Sequence, residues 1–165
     1  MRGVFLGLSM LLAAVTGLLG QSMPRTPAET LSGKRIVLAE ALRGHAAVLV
    51  MGFTRAGGSA CDPWARALRA DPSMAGIAVF QAAMLEGAPG WLRAAIKSSM
   101  RKGLSPAEQD NFVILVQDGK LWRSYFGVTA DQDPYVVLLD AAGQVRWHGH
   151  GAARDLEPLL KAALK

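Results

Sequence analysis

Cys61 is the one cysteine in 165 residues, and it is the side chain here best suited to nucleophilic or redox chemistry. It stands in GFTRAGGSACDPW, residues 52–64, where an apolar run ends, a glycine-bearing loop follows, and Asp62 with Pro63 gives an N-cap and first-turn signal for a helix. A thiol at a helix N-terminus is favoured as thiolate by the helix dipole, and Arg55 or Arg66 would add to that effect. Asp62, adjacent and negative, opposes it. With no second cysteine, the chain has neither an internal disulfide nor a resolving thiol of its own. Two readings of Cys61 stay open: an inert, loop-packing thiol, or an attacking thiol resolved by an external one.

The remaining chemistry-bearing residues are weaker candidates. His148 and His150 alternate on one face of a strand end, but no acidic or cysteine ligand lies near them in sequence, so they read as surface histidines beside a glycine turn, and no metal or cofactor is assigned. Trp91, Trp122 and Trp147 read as core or half-buried packing, and Met51, Met74, Met84 and Met100 as core filler. Dinucleotide, phosphate-loop, Ser-His-Asp and zinc-protease patterns do not occur.

The length suits one domain with a real core. Residues 1–20, MR followed by GVFLGLSMLLAAVTGLLG, read as an export signal, with an uncleaved membrane anchor as the alternative because the apolar run approaches the length of about 20 residues that spans a bilayer. The expected location is therefore extracytoplasmic, in the periplasm or held at the membrane, where disulfides persist. Residues 21–30, QSMPRTPAET, read as a polar linker, and 31–165 as the domain. The net charge of +5 is spread at helical intervals over Arg66, Arg69, Arg93, Lys97, Arg101 and Lys102, which reads as solvated helix faces and not as a nucleic-acid surface.

The elements that must position these residues follow from hydrophobic period and breakers. A short amphipathic strand is predicted around Arg35–Leu38, and a buried central strand over Val48–Phe53. Next come a helix from Pro63 to Ala70, a buried strand over Ile77–Ala83, and a helix over Pro89–Lys102 with Trp91, Leu92, Ala95, Ile96 and Ser99 facing inward. The last third supplies a strand at Phe112–Val116, a short helix at Lys120–Phe126, a hairpin of YVVLLD and QVRWH turning at Ala142 and Gly143, and a closing helix over Ala152–Leu164. Strand, helix, strand, helix favours right-handed crossovers and a parallel core.

This order, with the loop after Phe53, resembles the thioredoxin-like superfamily. The resemblance implies an α/β thioredoxin-like fold, a central mixed sheet of about five strands with flanking helices. Counting from Phe53, a thioredoxin-like site would put its attacking cysteine at Gly58 and its resolving cysteine at Cys61. LSGKRIVLAEALRGHAAVLVMGF and PYVVLLDAAGQVRW resemble peroxiredoxins and periplasmic thiol-disulfide proteins, and the likeness implies a cis bond before Pro134, which would face the active site. GFTRAGG with Trp64, and QVRWHGHGAARDLEPLL, resemble more closely the mitochondrial F0 ATP-synthase assembly factor family (ATPase complex subunit ten) and its bacterial relatives. Copper-delivery relatives would need cysteines where Ala56 and Ala60 stand, and a peroxiredoxin a Thr or Ser where Gly58 stands.

The expectation is an exported, redox-inactive thioredoxin-like protein without a CxxC dithiol. Its implied role is that of a non-catalytic binding, chaperone or assembly factor for an envelope protein or membrane complex, with membrane association through the N-terminal segment. The binding-loop candidates are Thr54, Arg55, Gly57, Gly58, Trp64 and Pro134. The alternative is a one-cysteine thiol-disulfide oxidoreductase or peroxidase using Cys61.

Overall fold

The computed structural model describes residues 22–153 and 157–163. The expected leader, Gln21 of the expected linker, and Leu156 and Leu164 of the closing helix lie outside the described residues. Seven strands form one sheet, where the resemblance implies about five: β1 (Pro27–Thr30), β2 (Arg35–Val37), β3 (Ala47–Gly52), β4 (Ala78–Met84), β5 (Phe112–Leu115), β6 (Tyr135–Leu139) and β7 (Val145–His150). Their order across the sheet is β2-β1-β5-β4-β3-β6-β7. β3, β4 and β5 are parallel, as strand–helix alternation requires, and β6 and β7 add the expected antiparallel hairpin beside β3.

The strand the sequence reading lacks, β1, comes from the segment read as a linker. Residues 27–30 pair antiparallel with β5 and with β2, and Thr26 is fully buried. Two prolines within polar surroundings disguised a strand whose inward positions are few; Pro24 precedes it, and Pro27, its first residue, stands opposite Val37 of β2 and ahead of the register with β5. Leu38 does not extend β2. It opens a short helix, α1 (Leu38–Ala41), and is itself in the core.

Strand alternation divides the core into two faces. On one, Leu49, Met51, Val137 and Leu139 pack beneath α5 (Gly119–Phe126), whose Trp122, Tyr125 and Phe126 are buried, and beneath Leu38 and Leu42. On the other, Val48, Val50, Val136 and Leu138 meet α2 (Arg55–Ala70) and α6 (Glu157–Ala163), through Cys61, Trp64, Leu68 and Leu159. A smaller cluster of Leu31, Ala83, Phe112 and Ile114 takes Met100 of α3 (Gly90–Arg101) and the nearby Leu104. No helix among the described residues is long and apolar enough to cross a membrane.

Three helices depart from the sequence pattern. α2 begins eight residues earlier than Pro63 and runs through that proline. α3 buries none of its residues fully, and Trp91 is 79% exposed instead of facing inward. Its inner side is made by the stems of basic residues as well as by Leu92 and Ile96: Arg93 donates to the carbonyls of Ala88 and Glu86, Lys97 pairs with Glu29, and Arg101 donates to the Leu31 carbonyl. Arg69 is likewise held, by Glu108 and Gln81, so these cations are not freely solvated faces. A short helix, α4 (Pro106–Asp110), precedes β5, opened by a capping box between Ser105 and Glu108.

Candidate functional site

The carboxyl ends of β3, β4 and β5 form one edge of the sheet, the place where open α/β sheets carry their sites. β3 ends at Gly52, and after Phe53 the chain turns directly into α2 with Thr54 as N-cap. Thr54 Oγ1 accepts from the Gly57 amide at 3.1 Å and donates to the Asp131 carbonyl at 2.8 Å, so one hydroxyl caps the helix and ties it to the loop before β6. The first helical bond runs from the Gly58 amide to the Thr54 carbonyl at 2.8 Å.

Backbone meets backbone at two glycines here. A Cβ on Gly52 would fall 2.5 Å from the Gly58 nitrogen, and one on Gly57 would fall 3.1 Å from the Asp131 carbonyl oxygen and 3.2 Å from that of Asp133. The first turn of α2 is thereby sealed against both β3 and the 131–133 loop. Gly57 is buried, not open to a substrate; only Gly58 has free space where a side chain would project.

Cys61 lies in the second turn of α2 and is 2% exposed, among Val48, Val50 and Leu138 of the core. Its Sγ donates to the Gly57 carbonyl at 3.2 Å, the ordinary partner of a thiol within a helix. Burial, and secondarily the charge of Asp62, push the thiol up to about 12. The helix begins before Cys61, so no helix N-terminus faces the sulfur, and the activation expected from the dipole does not arise. Arg55 and Arg66 are both exposed while the thiol is buried. Asp62 instead accepts from the buried Gln81 amide at 3.1 Å, and Gln81 in turn accepts from Arg69.

Pro134 is buried at the start of β6, next to this turn, and its carbonyl accepts from Gly151 at 3.1 Å. No described peptide bond is cis, so the bond from Asp133 to Pro134 is trans, against the expectation from resemblance. A turn closed by the Asp133 amide on the Ala130 carbonyl at 3.1 Å delivers the chain into β6 without the isomer. Trp64 is 2% exposed, and its indole Nε1 donates to the Gly151 carbonyl at 2.8 Å, which makes it a packing residue shared with Trp147 and not a contact surface.

Of the sequence candidates, the fold brings Thr54, Arg55, Gly57, Gly58 and Pro134 to one edge, with Cys61 and Trp64 beneath. Sequence reasoning missed three neighbours. Arg123 pairs with Asp131 and lies over the Phe53 ring, 5.2 Å from its centroid. His150 Nδ1 is 2.7 Å from Asp133 Oδ2, and its ring stacks on Tyr135. The Tyr135 hydroxyl accepts from the amides of Thr129 and Ala130, fixing the loop that faces Gly57. The sequence singles out His150 only as a surface histidine beside a glycine turn, and Arg123 and Tyr135 carry no local signal because their partners are set by tertiary structure.

His148 and His150 are both exposed. Among the described residues no three His, Cys, Asp or Glu side chains are grouped to hold a metal ion. A cavity of about 480 Å³, lined by Leu68, Arg69, Met74, Glu108 and Asn111, lies at the opposite end of the sheet, where β4 and β5 begin, and is separate from this edge.

A family model described as ATP10 protein matches residues 20–164. No curated protein matches the chain. Among solved structures, a thiol:disulfide interchange protein of the thioredoxin family from Chlorobium tepidum is 18% identical, over 88% of this chain and 100% of that one, with a TM-score of 0.51. A secreted Mycobacterium tuberculosis disulfide oxidoreductase homologous to E. coli DsbE is 20% identical over 85% and 95%, with a TM-score of 0.51. BsSco, a member of the Sco family of cytochrome c oxidase assembly proteins, is 15% identical over 86% and 92%, with a TM-score of 0.55. At these identities the likeness establishes a thioredoxin-like fold and nothing further.

Proposed function

Because this chain belongs to the ATP10 protein family and has a thioredoxin-like fold, we propose that it is a non-catalytic binding and assembly factor for a membrane complex, exported and associated with the membrane through its N-terminal segment. The observation that supports this most is the filled redox position. Gly58 stands where an attacking thiol would be, and Cys61, in the resolving position, is buried with its thiol pushed up to about 12. A thiolate reaction is poorly served there, because the nucleophile is the ionised form and an external partner must reach it. What remains exposed on the edge is a recognition surface around Arg55 and Gly58, held rigid by Thr54 and the 131–133 loop. Support for export and membrane association comes from the cationic start and apolar run of residues 1–20.

The test is depletion of the chain followed by native electrophoresis of membrane complexes. Loss of an assembled complex, restored as fully by Cys61→Ser as by the wild type, carries the reading. Restoration by the wild type but not by Cys61→Ser, at equal protein levels, overturns it in favour of a one-cysteine thiol-disulfide oxidoreductase or peroxidase.

A further inference from the structure

Trp91, 79% exposed, and Leu121, 58% exposed, are the large apolar side chains left outside the core among the described residues. Both belong to the edge just described. Trp91 is in the first turn of α3, beyond the end of β4, and Leu121 is in the first turn of α5, beyond the end of β5. Glu86 links the two segments: its carboxylate accepts from the Gly119 amide at 3.2 Å, and its carbonyl accepts from Arg93 at 3.2 Å. Because Arg93, Lys97 and Arg101 are held inward, the outward face of α3 around Trp91 carries no charge until Lys102. Single exposed apolar residues are ordinary, but here a Trp and a Leu from separate helices stand at one edge, which is where an apolar surface would be met.

The chain itself indicates what that surface is. β1 runs antiparallel to β5, with Glu29 opposite Ile114, so residues before Pro27 lie beyond the carboxyl end of β5. Thr26 is fixed there, donating to Asp118 at 2.8 Å and accepting from the Trp122 indole at 3.0 Å. From Thr26 back to Ser22, where the described fold starts, the backbone spans at most about 14 Å. The chain before Ser22 therefore continues from a point within about 14 Å of Thr26 at this edge.

Each acid on the edge is already engaged: Glu86 by Gly119, Asp118 by Thr26, Asp131 by Arg123 and Asp133 by His150. Glu86 and Asp118 keep their charge, since a peptide N–H and a hydroxyl do not neutralise a carboxylate. They offset the exposed Arg55 and Lys120, so the edge carries no surplus of either sign to oppose a neutral apolar layer. We propose that this edge is the face turned to a lipid bilayer, with Trp91 and Leu121 set into its interfacial layer. An indole suits that layer because its ring is apolar while its N–H finds a partner. The arrangement rests on the reading that the N-terminal segment associates with the membrane, and it goes further in fixing which side of the domain faces the lipid.

The experiment uses the full chain reconstituted into vesicles of mixed zwitterionic and anionic phospholipid, with bromine placed at a shallow acyl position. Flotation reports association of the chain, and tryptophan emission reports depth. The expected result is quenching by brominated lipid in the wild type that is lost in Trp91→Phe, with acrylamide unable to reach Trp91 on vesicles. If the chain floats but both proteins quench alike and acrylamide still reaches Trp91, the edge assignment is overturned while membrane association stands. If Trp91 is shielded from acrylamide and from brominated lipid together, a protein covers it and the lipid assignment is overturned. Failure to float overturns the membrane association itself, and the edge assignment with it.

Discussion

The amide nitrogen of Gly58 occupies the space a side chain on Gly52 would need, 2.5 Å from the ideal Cβ position. The end of β3 and the first turn of α2 thus touch through backbone alone, and the two glycines have opposite requirements. Gly52→Ala should destabilise by about 2–3 kcal/mol, because the obstructing atoms are main chain and cannot rotate away. Gly58→Ala, whose new methyl meets open space in a helix, should raise stability by about 0.5 kcal/mol. Urea midpoints for the two variants test the pair.

The Cys61 thiol makes stability depend on alkaline pH. Its folded value of about 12 lies above the thiol's ordinary value of 9.0, which the unfolded chain keeps, so between these limits the unfolded chain loses a proton that the native state retains. The thiol's contribution is fully present below pH 9 and is lost as pH rises toward 12. Tyr125, also pushed up to about 12 by burial, acts in the same direction. Cys61→Ala should therefore flatten part of the fall in urea stability between pH 8 and 11 without abolishing it. In the wild type, alkylation of the thiol should follow global unfolding and not thiolate content.

Thr54 joins a helix cap to a loop contact. Thr54→Val keeps the shape but removes both hydrogen bonds of the hydroxyl, and should cost about 1 kcal/mol. The same change should raise amide exchange at Gly57 and in residues 129–133, since the hydroxyl is the tie between them. Loss of assembly function at unchanged abundance would place recognition at this edge.

Trp64 should behave as a packing residue. Trp64→Phe leaves the ring in the core but deprives the Gly151 carbonyl of its 2.8 Å donor, and should lower stability by about 1 kcal/mol. Restoration of complex assembly by this variant in depleted cells should match the wild type.

The parallel core and the β6–β7 hairpin were legible because Val48–Phe53 and Phe112–Val116 are unbroken apolar runs, and Ala142–Gly143 is a plain turn signal. The start of α2 was not. Asp62 and Pro63 make a strong local start signal, yet Thr54 also caps, and proline's missing N–H costs the helix only one bond, that to the Ser59 carbonyl, once α2 is packed on β3. α4 was written in the Ser105 and Glu108 spacing and went unread. Trp91 was misplaced for a different reason. Hydrophobicity assigns a Trp to the core, but the inner side of α3 was taken by basic side chains with backbone and acidic partners at their tips. Such partners are set by tertiary structure and leave no local pattern.

The pairing of β1 with β5 governs the order in which the chain can fold. Glu29 meets Arg35 of β2 early but finds its β5 partner only when Ile114 exists, and β3 gains its second neighbour only with residues 135–139. A growing chain therefore carries the β1–β2 pair with one edge open through most of its synthesis, and β3 keeps one edge open until the last fifth is made. Contacts of such long sequence separation make folding slow and late. The molecule would commit to its sheet near the end of its own production, and truncations before Tyr135 should aggregate instead of forming a smaller domain.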